Sequence, residues 1–236
     1  MASARQSLST LVTEGYAKDR REGHHVESLF SVLDHLVYAT PDLQTTVERL
    51  GTLFGVRPTI GGTHPAWGTM NALLALGPQM YLEIIGPDPA QPHPPERRPF
   101  NLDTLIHPHV ATWVARGHNL PAVIEAARAE RVDLGAICAR SRQRPDGVWL
   151  TWSMTDLLTE RESGLVPYFI HWGDTPHPAT SAPQGCRLQQ VHAVHPDAER
   201  LTNILQRLGL DLVVQPGLTA QLMAIIDTPN GPMPLH

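Results

Sequence analysis

Residues 31–55 read SVLDHLVYATPDLQTTVERLGTLFG. Residues 31–40 alternate well enough for a strand, with Leu33, His35 and Val37 on one face. Thr40-Pro41-Asp42 then starts a helix: threonine can cap, proline suits the first turn, and aspartate favours the positive end of the dipole. Leu43, Val47, Leu50 and Phe54 share one helical face, and Gly55 can end the helix in the left-handed conformation. Extended pieces follow at 56–62, 69–76 and 79–85, so the unit is βαβββ.

The unit recurs, and recurrence weighs more than any single motif. In the second copy, 109–115 is the first strand, Asn119-Leu120-Pro121 starts the helix, and 134–140, 148–154 and 165–172 are extended. In the third, 187–194 is the strand and His195-Pro196-Asp197 repeats the helix start. Leu201, Ile204, Leu205 and Leu208 form the stripe, and Gly209 closes the helix. Short pieces at 212–215, 221–227 and 233–235 complete an abbreviated copy. Pro-rich segments at 86–99 and 173–185 mark the junctions. The expected partition is an N-terminal extension over 1–28 with a short helix near 8–16, then a first module over 29–90 and a linker over 91–105. A second module over 106–173, a linker over 174–186 and the abbreviated third module over 187–236 follow. The fold class is α+β: repeated modules whose small sheets, set side by side, curl into a cup that can surround a ligand.

Composition narrows the function classes. Of 236 residues 42% are hydrophobic and 17% charged, enough apolar material for a core. The net charge is −5 with no basic stripe beyond short runs such as Arg97-Arg98, which argues against a nucleic-acid partner. Cys138 and Cys186 are too few for a disulfide framework. The first residues contain no continuous apolar run like a signal peptide, and no stretch of about 18 apolar residues could span a bilayer. The expectation is a cytoplasmic protein without a membrane or nucleic-acid partner. Its ligand is expected to be a small molecule, and the open sheet edge of a half-module calls for a partner, as in a homodimer.

Two side chains stand out. His35 sits mid-strand among apolar neighbours, where it is either a hydrogen-bonded core residue or a metal ligand. Glu83 lies within the apolar strand MYLEIIG, and a carboxylate there needs a histidine, an arginine or a metal beside it. The first and fourth strands of such a module can lie side by side, so His35 and Glu83 can meet. His64 and Trp67 occupy the Gly-rich segment GGTHPAWGTMN, which allows close backbone approach and offers a stacking surface, or is an ordinary turn.

The first copy resembles the vicinal oxygen chelate superfamily and, within it, the glyoxalase-like family. The residues that carry this are LDHLVYATPDL at 33–43, GGTHPAWGTMN at 61–71 and YLEII at 81–85. VPYFIHWG at 166–173, His177-Pro178 and GCRL at 185–188 resemble the second half of the same family. The resemblance covers roughly residues 31–236. It implies paired modules forming a cupped mixed sheet and, in active members, a divalent metal held by side chains from the first and fourth strands. For this chain it implies His35, Glu83, His64 and Gln190 as candidate ligands of Zn, Mn, Fe, Ni or Mg, with His35 and Glu83 also candidates for catalysis. Trp67, Asn71, Trp152 and His171 are candidates for the substrate pocket.

The copies depart from a plain ligand set. The counterpart of His35 is Thr112 in the second copy and Gln190 in the third. The counterpart of Glu83 is Ile170, with His171 one residue on, and about Leu235 in the third copy. Two function classes stay open. One is a lyase- or isomerase-type enzyme acting on a small oxygenated metabolite, through a metal or with Glu83 as general base. The other is a protein that binds a drug or aromatic metabolite without turning it over.

Overall fold

The computed structural model describes residues 25–129, 131–159 and 161–236; the short helix expected near 8–16 lies outside them. Helix α1 (His25–Val32) leads directly into β1 (Leu33–Ala39), so the first residues of the expected strand are helical. The first module continues with α2 (Leu43–Phe54), β2 (Thr59–His64), β3 (Thr69–Gly77) and β4 (Met80–Pro87). The second comprises β5 (His109–Arg116), α3 (Leu120–Ala129), β6 (Ile137–Gln143), β7 (Trp149–Thr155) and β8 (Tyr168–His171). The third comprises β9 (Arg187–His195), α4 (Ala198–Arg207), β10 (Val213–Pro216), β11 (Gln221–Thr228) and β12 (Gly231–Leu235).

Local chemistry explains the helix limits. Asp42, rather than Thr40, caps α2 by accepting from the Thr45 amide, while the Thr40 hydroxyl pairs with Thr46 at 2.7 Å. Asp197 does the same for α4, and the Asn119 side chain accepts from Ala122 at the start of α3. Gly55 ends α2 with φ 73°, in the left-handed conformation.

The first two modules pair with each other. Their strands close a barrel in the order β1-β4-β3-β2-β6-β7-β8-β5. Each module runs first strand, fourth, third, second, with β1 parallel to β4 and β5 parallel to β8. The two seams between modules differ. β1 and β5 pair antiparallel along their length, from Leu33 opposite Ala115 to Ala39 opposite His109. β2 and β6 meet, among the described residues, at the one pair Thr63–Gln143. Gly62 belongs to that thin seam. Its φ is 142°, and a β-carbon there would land on the Gln143 carbonyl oxygen. Gly62→Ala is therefore expected to cost more than about 1 kcal/mol, read as a lower urea midpoint with an unchanged slope.

The third module keeps the βαβββ element order but not the pairing. Its separate four-stranded sheet runs β10-β9-β11-β12, with β9 parallel to β10 and antiparallel to β11. Its apolar face completes the core outside the barrel, where Leu188, Val191, Leu201 and Leu222 join Leu36, Val47 and Phe54. A second apolar cluster, including Val37, Ile85, Val114, Met154 and Ile170, fills the barrel itself.

One irregularity in β1 matters for function. The β1–β5 register slips between Leu33 and His35, which leaves Asp34 in a bulge. Leu33 consequently packs in the outer core, while His35 and Val37 face the interior. The expected common face of Leu33, His35 and Val37 is broken at that bulge.

Candidate functional site

The barrel interior brings several expected residues together. His35, His64, Asn71 and Glu83 line a cavity of about 30 Å³ with Trp67 and Trp152. Each arrives by strand alternation: His35 from β1, Glu83 from β4, Asn71 from β3 and His64 from the end of β2. The parallel pairing of β1 with β4 sets Val37 opposite Glu83, which brings His35 and the carboxylate together. His35 Nε2 lies 3.7 Å from Glu83 Oε2. The other carboxylate oxygen accepts a 2.5 Å hydrogen bond from Asn71 Nδ2.

The far side of His35 is held as firmly. Its Nδ1 is 2.7 Å from Asp34 Oδ1, and its ring stacks on Tyr81 with centroids 4.5 Å apart. Asp34 is fully buried and also accepts from Trp172 Nε1 and His177 Nε2, each at 3.2 Å. Burial by itself would raise the Asp34 pKa. Hydrogen bonds from His177 and His35, with the attraction of their rings, outweigh it and hold the carboxyl below its ordinary range. An ionised Asp34 keeps the proton of His35 on Nδ1, so Nε2 presents a lone pair to Glu83; this tautomer is assigned from the hydrogen-bond network.

His64 is buried, with Nδ1 3.1 Å from the Thr69 hydroxyl and its ring near Trp67 and Trp152. Burial is the largest influence and pulls its pKa from 6.5 to about 4, although Glu83 acts the other way. The unfolded chain therefore binds this proton between those two values and the folded chain does not, so stability should rise with pH across that window. A shift from 6.5 to about 4 corresponds to about 3 kcal/mol, fully present above pH 6.5. His64→Gln should flatten the rise in melting temperature between pH 4 and 6.5.

The remaining candidates fall elsewhere. Gln190 is exposed on β9 and paired with Ile225 in the separate sheet, because the first module closes on the second rather than the third. It is not part of the site. Ile170 faces the barrel interior, whereas His171, exposed on β8, lines an outer groove of about 990 Å³. Trp149, half of whose surface is free, lines the groove too. His64, Trp67, Trp152 and Trp172 line both spaces and form the wall between them. Trp67 is fixed by a 3.0 Å bond to Glu96 of the Pro-rich linker and by the Arg140 guanidinium 4.7 Å above its ring.

A protein-held metal does not fit this donor set. His35 and Glu83 converge as two donors, whereas His64, though it lines the same cavity, does not group with them and has its Nδ1 3.1 Å from the Thr69 hydroxyl. Thr112 uses its hydroxyl to donate to the Gly164 carbonyl at 2.7 Å, and Ile170 has none. Among the described residues no group of three or more His, Cys, Asp or Glu side chains could hold an ion, whereas such sites ordinarily take at least three protein ligands.

Three side chains at or beside the cavity escaped the sequence analysis. Asp34 could have been found by the argument applied to Glu83, since it too is a carboxylate in an apolar strand. His177 entered only with Pro178 as a mark of the family resemblance, with no role attached. Arg142 sits in the alternating polar strand ICARSRQ, which gives no sign that its side chain turns inward.

Comparison with known proteins agrees with the architecture. A family model described as a glyoxalase-like domain matches residues 33–209. Among solved structures, a hypothetical protein from Staphylococcus aureus is 12% identical. The match has a TM-score of 0.62 and covers 80% of this chain and 87% of that one. A methylmalonyl-CoA epimerase from Mycobacterium tuberculosis is 17% identical with a TM-score of 0.40, over 59% of this chain and 87% of that one. A xylose isomerase-like TIM barrel/4-hydroxyphenylpyruvate dioxygenase fusion protein is 14% identical with a TM-score of 0.42, over 87% of this chain and 31% of that one. A search of curated protein sequences gives no match.

Proposed function

Since the chain belongs to the glyoxalase-like domain family of the vicinal oxygen chelate superfamily, we propose that it is a lyase- or isomerase-type enzyme that moves a proton on a small oxygenated metabolite. The observation that carries this is the convergence of His35 Nε2 and Glu83 Oε2, 3.7 Å apart at the cavity wall. Both are proton acceptors, and the gap exceeds a hydrogen bond. A proton-bearing substrate atom can approach both from the cavity side, since the 3.7 Å gap itself is too narrow to admit one. Glu83 removes a proton from carbon next to a carbonyl and, as the carboxylic acid so formed, returns it to the resulting enolate, while His35 Nε2 accepts from a substrate hydroxyl and the developing oxyanion faces a water-poor interior. Asp34 holds the tautomer of His35, and Asn71 Nδ2 holds the Glu83 carboxylate. No step runs through a metal, for which the donor set falls short.

The test is deuterium exchange in D2O, followed by NMR on a panel of small 2-oxo and 2-hydroxy acids and their methyl esters. Exchange above the buffer rate next to a carbonyl supports the proposal. Absence of catalysed exchange across the panel would sink it.

A second reading, binding without turnover, has one observation in its favour. Four of the five tryptophans, Trp67, Trp149, Trp152 and Trp172, line the outer groove. Large rigid aromatic surfaces suit planar apolar ligands. Saturable quenching of tryptophan emission by aromatic compounds, with no exchange in the NMR assay, would favour it.

A further inference from the structure

Arg142 lies on β6 and turns its side chain into the barrel, where it is 3% exposed. One guanidinium N–H donates to the Gly61 carbonyl oxygen. The other buried or half-buried arginines have their charge answered. Arg98 pairs with Asp103, Arg116 lies beside Asp34 and Arg140 pairs with Glu96, while Arg161 stacks on Tyr168 and is bonded to several carbonyls. Arg142 has no ion-pair partner among the described residues. Burial is the main influence on it and lowers its pKa, with Tyr81 and Glu83 acting against that, so its charge is incompletely compensated. It lines the same cavity as His35 and Glu83. Beside it, Asn71 Oδ1 is buried without a hydrogen-bond partner, so the cavity also holds an acceptor that a ligand hydroxyl could satisfy.

We propose that Arg142 is the anion-recognising residue of this site and that the substrate is a small carboxylic acid. Its carboxylate pairs with the guanidinium while its acidic carbon is presented to Glu83 and His35. This rests on the proton-transfer reading above. A guanidinium matches a carboxylate through two parallel N–H bonds, and in a desolvated cavity such bonds strengthen. At about 30 Å³ the cavity holds a water, so an acid must displace the indole wall of Trp67, Trp152 and Trp172 as it enters from the groove.

The test compares pyruvate, 2-oxobutanoate and lactate with their methyl esters, by calorimetric titration of the full chain. At least one acid should bind more tightly than its ester, and Arg142→Met should weaken that acid about tenfold to a hundredfold and its ester by much less. Arg142→Lys should keep part of the preference. A residue that only supported the barrel would weaken acid and ester alike. If Arg142→Met fails to fold, the Arg142→Lys ratio decides: an undiminished acid preference overturns the assignment. Equal binding of acids and esters by the unaltered protein overturns it as well, and so does failure of every acid to bind. Acid-selective binding without catalysed exchange defeats only the proton-transfer reading. Exchange of esters as fast as acids defeats only the role of Arg142.

Discussion

Glu83→Gln should lower catalysed proton exchange by about 10²- to 10⁴-fold, the usual contribution of a positioned general base. The substitution keeps the shape of the side chain and an oxygen that can accept from Asn71 Nδ2, the partner Glu83 holds at 2.5 Å. It removes the basic oxygen that faces His35 Nε2 at 3.7 Å. Melting temperature should move little and the rate greatly. His35→Gln should fall comparably, and the double variant no further than the more damaging single one, because groups acting as a unit are not additive. A Glu83→Gln protein that exchanges at the unaltered rate would remove Glu83 from the chemistry.

The second large effect is on stability. Asp34→Ala strips a fully buried carboxylate from three N–H donors, those of His35, Trp172 and His177. Losing one partner of a buried charged network typically costs about 3–5 kcal/mol, a large share of what a domain has. Urea unfolding at neutral pH should show the loss. The acid limb gives the sign. Asp34 titrates in the folded chain below its ordinary 3.8, so its contribution is complete above 3.8 and disappears as pH falls through the folded value. That window lies below the one assigned to His64, so the two can be told apart in one pH series. Asp34→Ala should also slow exchange, because His35 is then free to carry its proton on either nitrogen. An Asp34→Ala protein as stable as the original would show that the donors find water instead.

Much of the fold was legible because its signals are local. The Pro-Asp steps at 41–42 and 196–197 announce helix starts, and Gly55 a helix stop, within a few residues of where each acts, although the cap of α2 is Asp42 and not the Thr40 that the sequence suggested. His35 and Glu83 were legible as polar groups in apolar strands. What could not be read depends on contacts distant in sequence. Nothing near Gln190 says that β9 takes β10 as its parallel neighbour in a separate sheet, and that pairing removes Gln190 from the site. Nor does the strand around Leu33 reveal a bulge, which exists only against β5. Arg142 was missed for a similar reason. Alternation predicts that it shares a face with Arg140 and Arg144, but not that the face closes over a cavity.

The unequal seams of the barrel give it the mechanics of a book. The long β1–β5 ladder is its spine, and the Thr63–Gln143 pair, with the Arg142 bond to Gly61, is its clasp. The page that carries His35 and Glu83 lies on one side of the spine, and the page that carries Arg142 and Trp152 on the other. Parting them at the clasp gives up little hydrogen bonding, whereas parting them at the spine dismantles the core, so local opening belongs to the clasp. A ligand held by Arg142 on one page and Glu83 on the other would itself fasten the book.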